Sequence, residues 1–102
     1  MYQIGYTPLA LRQLASVASD DDRNAIVRRV AELAIKPYHT RALKYESALY
    51  RRARAAGGRY RIFFRIDDDN ATVKIEFIGM RIPGNEQDAY AVFRRLLTES
   101  GL

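Results

Sequence analysis

The chain has 102 residues, enough for one domain with a real core, and 48% of them are hydrophobic. Cysteine is absent, which excludes disulfides, a thiol nucleophile and cysteine-held metal, and the single histidine, His39, argues against a histidine-clustered metal centre. A formal net charge of +5 favours anionic partners, nucleic acid first, while the lack of an apolar leader or of any stretch near ~20 apolar residues leads to the expectation of a soluble, cytoplasmic chain with no membrane role.

Tyr2, Ile4 and Tyr6 alternate as in a short strand. Thr7 is a good N-cap and Pro8 suits a first helical position, so residues 8–18 read as a helix with Ala10, Leu11, Leu14, Ala15 and Ala18 at helical spacing. Asp20, Asp21 and Asp22 read as the start of a second helix, opposing its positive end, rather than as an ion site, since no further ligands of a calcium loop lie nearby. Ile26, Val27, Val30, Leu33 and Ala34 form its apolar stripe, Arg28 and Arg29 lie opposite, and Pro37 ends it. The two helices should form an antiparallel hairpin.

Residues 38–47 read as a connector, followed by strands near 48–55, 59–66 and 72–79. Gly57-Gly58 supplies the first turn and Asp67-Asp68-Asp69-Asn70 the second. In the last strand Val73, Ile75 and Phe77 are expected on the core face, with Gly79 loosening the backbone before Arg81. Asn85 is a candidate cap for a third amphipathic helix carrying Ala89, Val92, Phe93, Leu96 and Leu97. The predicted fold is α+β, in the order β-α-α-β-β-β-α. It is an antiparallel-rich twisted sheet with the N-terminal helical hairpin on one face and a short C-terminal helix, and residues 1–102 form one domain.

Arg51, Arg52, Arg54, Arg59 and Arg61 fall within eleven residues without an intervening acid. Alternation puts Tyr60, Ile62, Phe64 and Ile66 on one face of the strand and Arg59, Arg61, Phe63 and Arg65 on the other. With the hairpin covering the apolar face, Arg52, Arg54, Arg59, Arg61 and Arg65 are expected in solvent, as a fixed cationic surface for an anion.

The run Gly57-Gly58-Arg59-Tyr60-Arg61-Ile62-Phe63-Phe64, followed by Val73-Lys74-Ile75-Glu76-Phe77-Ile78-Gly79-Met80-Arg81 and then by Tyr90 ahead of a helix, resembles the RelE/ParE superfamily of toxins. The resemblance spans nearly the whole chain by element order and is sharpest over residues 50–97. It implies one of two activities: metal-free, cofactor-free cleavage of mRNA in the ribosomal A site, with the RNA 2′-hydroxyl as nucleophile, or inhibition of DNA gyrase without nuclease chemistry. In both cases it implies a cognate antitoxin in a hetero-oligomer.

On that resemblance Arg61 and Arg81 match the phosphate-stabilising arginines of the RelE-like nucleases. Arg52 and Arg54 match positions held there by lysines, one a candidate base. An arginine stays charged and does not readily take a proton, so Arg52 and Arg54 read as RNA clamps, with Arg59 and Lys44 as further RNA contacts. Tyr90 would position a base or assist proton transfer, and Lys44 would be a stand-in base or phosphate contact. The plainer alternatives are an Arg61–Glu76 ion pair, a Tyr90 that only packs, a structural Tyr50 and an ordinary loop role for His39. A module that binds RNA without chemistry is the third class of function.

Overall fold

The computed structural model describes residues 1–44 and 49–100. In chain order these form β1 (Gln3–Tyr6), α1 (Pro8–Ala15), α2 (Asp20–Ile35), β2 (Arg41–Ala42), β3 (Arg51–Ala55), β4 (Tyr60–Asp67), β5 (Thr72–Met80) and α3 (Ala89–Ser100). The sheet runs β1-β5-β4-β3-β2. β1 lies parallel to β5 and every other pairing is antiparallel. The fold is therefore α+β, with three helices and a mixed five-stranded sheet. The two-residue β2 falls in the expected connector, too short to leave an alternation to read. Residues 45–48, which include the rest of that connector and the expected start of the next strand, lie outside the described residues.

Thr7 caps α1, its Oγ1 accepting from the Ala10 N–H at 3.1 Å with Pro8 following. The helix stops at Ala15, before the expected residue 18, because Ser16 closes its last turn by donating from Oγ to the Gln13 carbonyl at 2.9 Å. Ser19 caps α2 through the Asp22 N–H, and the three aspartates occupy the first turn, where carboxylates oppose the helix dipole. Ile26, Val30, Leu33 and Ala34 are buried. Leu11 and Val27, both counted in the expected stripes, are exposed at 51% and 46%; Val27 sits a step of about 100° from Ile26 around the helix, off the buried line.

The sheet separates two cores. On one side the helical hairpin covers Ala53, Ala55, Tyr60, Ile62, Phe64, Val73 and Ile75. On the other, Ala89, Phe93 and Leu97 of α3 cover Tyr50, Phe63 and Phe77. Phe77 was expected on the hairpin side with Val73 and Ile75. The register corrects this: Phe64 faces Ile75 whereas Phe63 faces Phe77, which leaves Glu76 as an extra residue in β5. Such a bulge reverses the phase of alternation. Downstream of it, Phe77, Gly79 and Arg81 share the α3 side of the sheet with Phe63 and Arg61.

Gly79, opposite Arg61, is a contact residue rather than a loosener. A Cβ there would lie 2.6 Å from the Phe77 ring and 3.1 Å from the Ala89 Cβ, so its absence lets α3 begin directly on the sheet. Ala56, Gly57 and Gly58 turn β3 into β4 with φ of 54°, 65° and 86°, a left-handed run that the two glycines make cheap.

Candidate functional site

On the α3 side, the second residue of α3 sits in a ring of cations. The Tyr90 ring meets Phe63 edge-on, with centroids 5.1 Å apart at 62°. The guanidinium carbon of Arg81 lies 5.1 Å from the Tyr90 centroid, and those of Arg52 and Arg61 each 5.9 Å away. They come from three places: Arg52 from β3, Arg61 from β4 and Arg81 from just beyond β5. The Tyr90 hydroxyl accepts from Arg52 Nη1 at 3.0 Å and from Arg61 Nε at 3.2 Å. Both of its lone pairs are then engaged, and its own O–H is what it has left to offer.

Arg61 was expected in solvent but is only 7% exposed. Its Nη1 donates to the Gly58 carbonyl at 2.8 Å and the Tyr60 carbonyl at 3.3 Å, so the β3–β4 turn fixes it. The alternative ion pair with Glu76 is taken by Arg65 instead, at 2.9 Å, which also lies over the Tyr50 ring. The floor of the site therefore holds an arginine whose charge no carboxylate among the described residues pairs with.

Arg81 is held differently. Its Nη1 donates to Asp88 Oδ1 at 2.5 Å, and the same oxygen accepts the Ile82 N–H at 2.7 Å. Asp88 Oδ2 accepts the Tyr90 N–H at 3.1 Å. One buried carboxylate thus orients Arg81 and caps α3 at Tyr90, a role Asn85 had been expected to fill; Asn85 instead accepts from the Gln87 N–H within the preceding turn. Burial works against the charged form of Asp88. It is outweighed by the Arg81 hydrogen bond and the two backbone donors, so the carboxyl titrates below the usual carboxylate range.

These side chains line a cavity of about 560 Å³, within the range of ligand sites. Lys44, Arg52, Arg54, Arg61, Arg81 and Arg94 contribute cations to its wall, Ala42, Leu43, Phe93 and Tyr90 contribute the rest, and among the described residues no carboxylate lines it. Packing cations this closely costs repulsion, relieved here by the Tyr90 ring face and by Asp88. Among the described residues, no group of three His, Asp or Glu side chains is placed to hold a metal ion.

Of the residues singled out in the sequence, Arg52, Arg54, Arg61, Arg81, Tyr90 and Lys44 meet at this cavity. Arg59 does not: it points to the hairpin side and pairs with Asp22 of α2. Arg51 also faces the hairpin side and donates to Thr40, through Nε to Oγ1 at 2.9 Å. Tyr50 packs edge-on against Phe93 with centroids 5.1 Å apart, a structural position. His39 is exposed in the turn after α2. Asp88 and Arg94 were missed. Arg94 had a readable signal, since it follows Tyr90 by four residues and shares its helix face; Asp88 had none, because its partners meet only in three dimensions.

The family model for the ParE toxin of type II toxin–antitoxin systems matches residues 4–81, which carry all the site arginines but Arg94 and stop before Tyr90. Among solved structures, the chain is similar to one in the RelBE-type toxin–antitoxin complex of Mycobacterium tuberculosis. The two are 29% identical with a TM-score of 0.71, over 78% of this chain and 98% of that one. The isolated RelE toxin of Escherichia coli is 12% identical with a TM-score of 0.70, covering 98% of this chain and 99% of that one. A chain of the RelE–RelB complex of Pyrococcus horikoshii is 16% identical with a TM-score of 0.64, over 81% and 98%. The last two likenesses concern the fold alone. No curated protein matches. Since the family model takes in the sheet from β1 to the end of β5 together with the helical hairpin, the chain belongs to the ParE toxin family of type II toxin–antitoxin systems, within the RelE/ParE superfamily.

Proposed function

We propose that this toxin blocks translation as a metal-independent, ribosome-dependent mRNA endonuclease and is silenced by a cognate antitoxin. The observation that carries the reading is the convergence of Arg52, Arg61 and Arg81 on Tyr90. In the reaction, the RNA 2′-oxygen attacks the adjacent phosphorus and the bond to the 5′-oxygen breaks. A 2′,3′-cyclic phosphate and a free 5′-hydroxyl result. Charge builds on the non-bridging phosphate oxygens, and preorganised guanidinium donors serve that charge well. Arg61 and Arg81 take the scissile phosphate and Arg52 and Arg54 hold the strand. Tyr90, whose oxygen already accepts twice, suits donation of its proton to the leaving 5′-oxygen rather than abstraction. The permanently charged arginines do not take the 2′-proton; it passes to a group of the ribosome, and Lys44 serves as a phosphate contact.

The antitoxin partner is supported by structural neighbours whose structures are toxin–antitoxin complexes. A second reading, gyrase inhibition without nuclease chemistry, is favoured by the matching family model and by arginine in place of lysine at positions 52 and 54. Mapping mRNA 5′ ends on translating ribosomes after induction separates the two. The nuclease reading expects new ends within codons for wild type, and about 10²- to 10³-fold fewer for Arg61→Ala and Arg81→Ala. Growth arrest with intact mRNA and altered chromosome supercoiling refutes it in favour of gyrase.

A further inference from the structure

Arg94 belongs to none of the roles above. On α3 the residues reaching the cavity run Tyr90, Phe93, Arg94, and four residues of helix advance about 6 Å along the axis. That advance is comparable with the step between neighbouring phosphates of an extended nucleic-acid strand. Lys44 lines the same cavity, with Ala42 and Leu43 of the β2 edge. Besides the cation cluster around Tyr90, the wall thus holds the apolar Phe93, Leu43 and Ala42 and two further cations, Arg94 and Lys44. Such a wall offers contacts of both kinds that a strand needs, cations for its phosphates and apolar side chains for its nucleosides. The two groups also differ in how they are held. Arg52, Arg61 and Arg81 are fixed by internal hydrogen bonds. Among the described residues, no hydrogen bond or ion pair engages the side chains of Arg94 and Lys44, and both residues are exposed. Exposed cations without a fixing partner add affinity through phosphate contact without a geometric demand.

We infer that Arg94 and Lys44 form a second anion subsite, which takes the phosphate next to the one bound around Tyr90. The ligand is thus a single strand with at least two consecutive phosphates, lying in the cavity lined by Tyr90, Phe93 and Arg94 of α3 and by Ala42, Leu43 and Lys44. The inference rests on the nucleic-acid reading of the cavity. It implies that a dinucleotide with one phosphate reaches only the inner cluster, whereas a pentanucleotide reaches both.

The test measures binding of the full chain to RNA oligonucleotides 2′-O-methylated throughout, so that no hydroxyl can attack, by chemical-shift titration at several salt concentrations. Arg94→Ala lies on an exposed helix position where alanine is favourable. It is expected to weaken pentanucleotide binding about tenfold and to reduce the salt slope by about 0.7, one phosphate contact on a single strand. Dinucleotide binding stays within about twofold. Lys44→Ala follows the same pattern more weakly, and Arg61→Ala weakens both ligands. Equal losses for the two ligands, or none, with Arg94→Ala overturn the subsite while leaving the inner site intact. Loss with Arg94→Ala but not with Arg61→Ala keeps the subsite and removes the phosphate role given to Arg61. A wild-type chain that binds neither oligonucleotide but binds an acidic peptide there overturns both.

Discussion

Replacing Asp88 by asparagine exchanges one carboxylate oxygen for an amide nitrogen and alters almost no volume. At most helix caps that change is benign, because asparagine caps as well as aspartate. Here both oxygens are committed: Oδ1 accepts from Arg81 and Ile82, and Oδ2 accepts from Tyr90. Whichever way the amide turns, its NH₂ faces a donor. With the amide oxygen in the Oδ1 position, the Tyr90 N–H loses its acceptor; with it in the Oδ2 position, both Ile82 and Arg81 do. Each buried donor left unsatisfied costs ~1–3 kcal/mol, so Asp88→Asn should destabilise by about 2 kcal/mol. For a chain of this size that lowers Tm by roughly 8–16 °C, on a scale of ~4–8 °C per kcal/mol. Asp88→Ala removes both oxygens and leaves all three donors without their acceptor, so it should cost at least as much as asparagine. The assay is thermal unfolding of the three proteins by circular dichroism at neutral pH. An asparagine variant melting within about 2 °C of wild type would show that one of the two oxygens accepts nothing, and the account of how Arg81 and Tyr90 are oriented would fall with it.

Other outcomes follow from the same geometry. Gly79→Ala drives a methyl into the Phe77 ring and the Ala89 Cβ and should cost about 1–3 kcal/mol by overpacking; unchanged unfolding would mean α3 does not sit on β5 as described. Tyr90→Phe keeps the ring against Phe63 but removes the hydroxyl between Arg52 and Arg61. Under the nuclease reading, cleavage on ribosomes should fall about 10²-fold or more with little change in Tm, and a loss under about threefold would leave Tyr90 a packing residue. Asp68 accepts from the hydroxyls of Tyr2, at 2.5 Å, and Tyr38, and these bonds hold its carboxyl below the usual range. Its stabilising contribution is present above the unfolded carboxylate value and is lost as pH falls through the folded one. Tyr38→Phe should move the Asp68 titration seen by NMR upward; no movement would deny the bond. At the other end, Tyr2 is pushed up to about 12 from 10.0, chiefly by that hydrogen bond. Its contribution should therefore fade as pH rises between those values, and a tyrosinate absorbance titration should show one tyrosine fewer in the high-pH step of Tyr2→Phe than of wild type, Tyr6 and Tyr38 being raised as well.

Much of this architecture is written in local patterns. Thr7-Pro8 announces α1, Gly57-Gly58 the tightest turn, and the period-two runs of β4 and β5 the centre of the sheet. Arg52, Arg54 and Arg61 could be placed on one face because β3 and β4 keep a regular register, with Arg54 opposite Arg61. What escaped was every feature set by a distant partner. Strict alternation carries Phe77 to the wrong side, because the bulge at Glu76 leaves no mark in a sequence that still reads as strand. Arg59 looks identical in kind to Arg61, yet Asp22, thirty-seven positions away, takes it out of the cavity. Arg61 was expected to be wet because arginine usually is; the carbonyls of the β3–β4 turn make its burial tolerable.

The parallel pairing of β1 with β5 fixes the order of assembly. The strand nearest the N-terminus docks on the last strand of the sheet, and Thr7 donates to the Glu76 carbonyl across 69 positions. Closing so long a loop is entropically costly and rewarded only once β5 exists, so the β3–β4–β5 meander is expected to form first and β1 to zip on late. During synthesis, which delivers the N-terminus first, β1 has nowhere to dock until β5 has emerged, and Arg81 and Tyr90 follow later still. A nascent toxin of this topology cannot assemble its cationic cavity until α3 has followed β5 out of the ribosome that is making it.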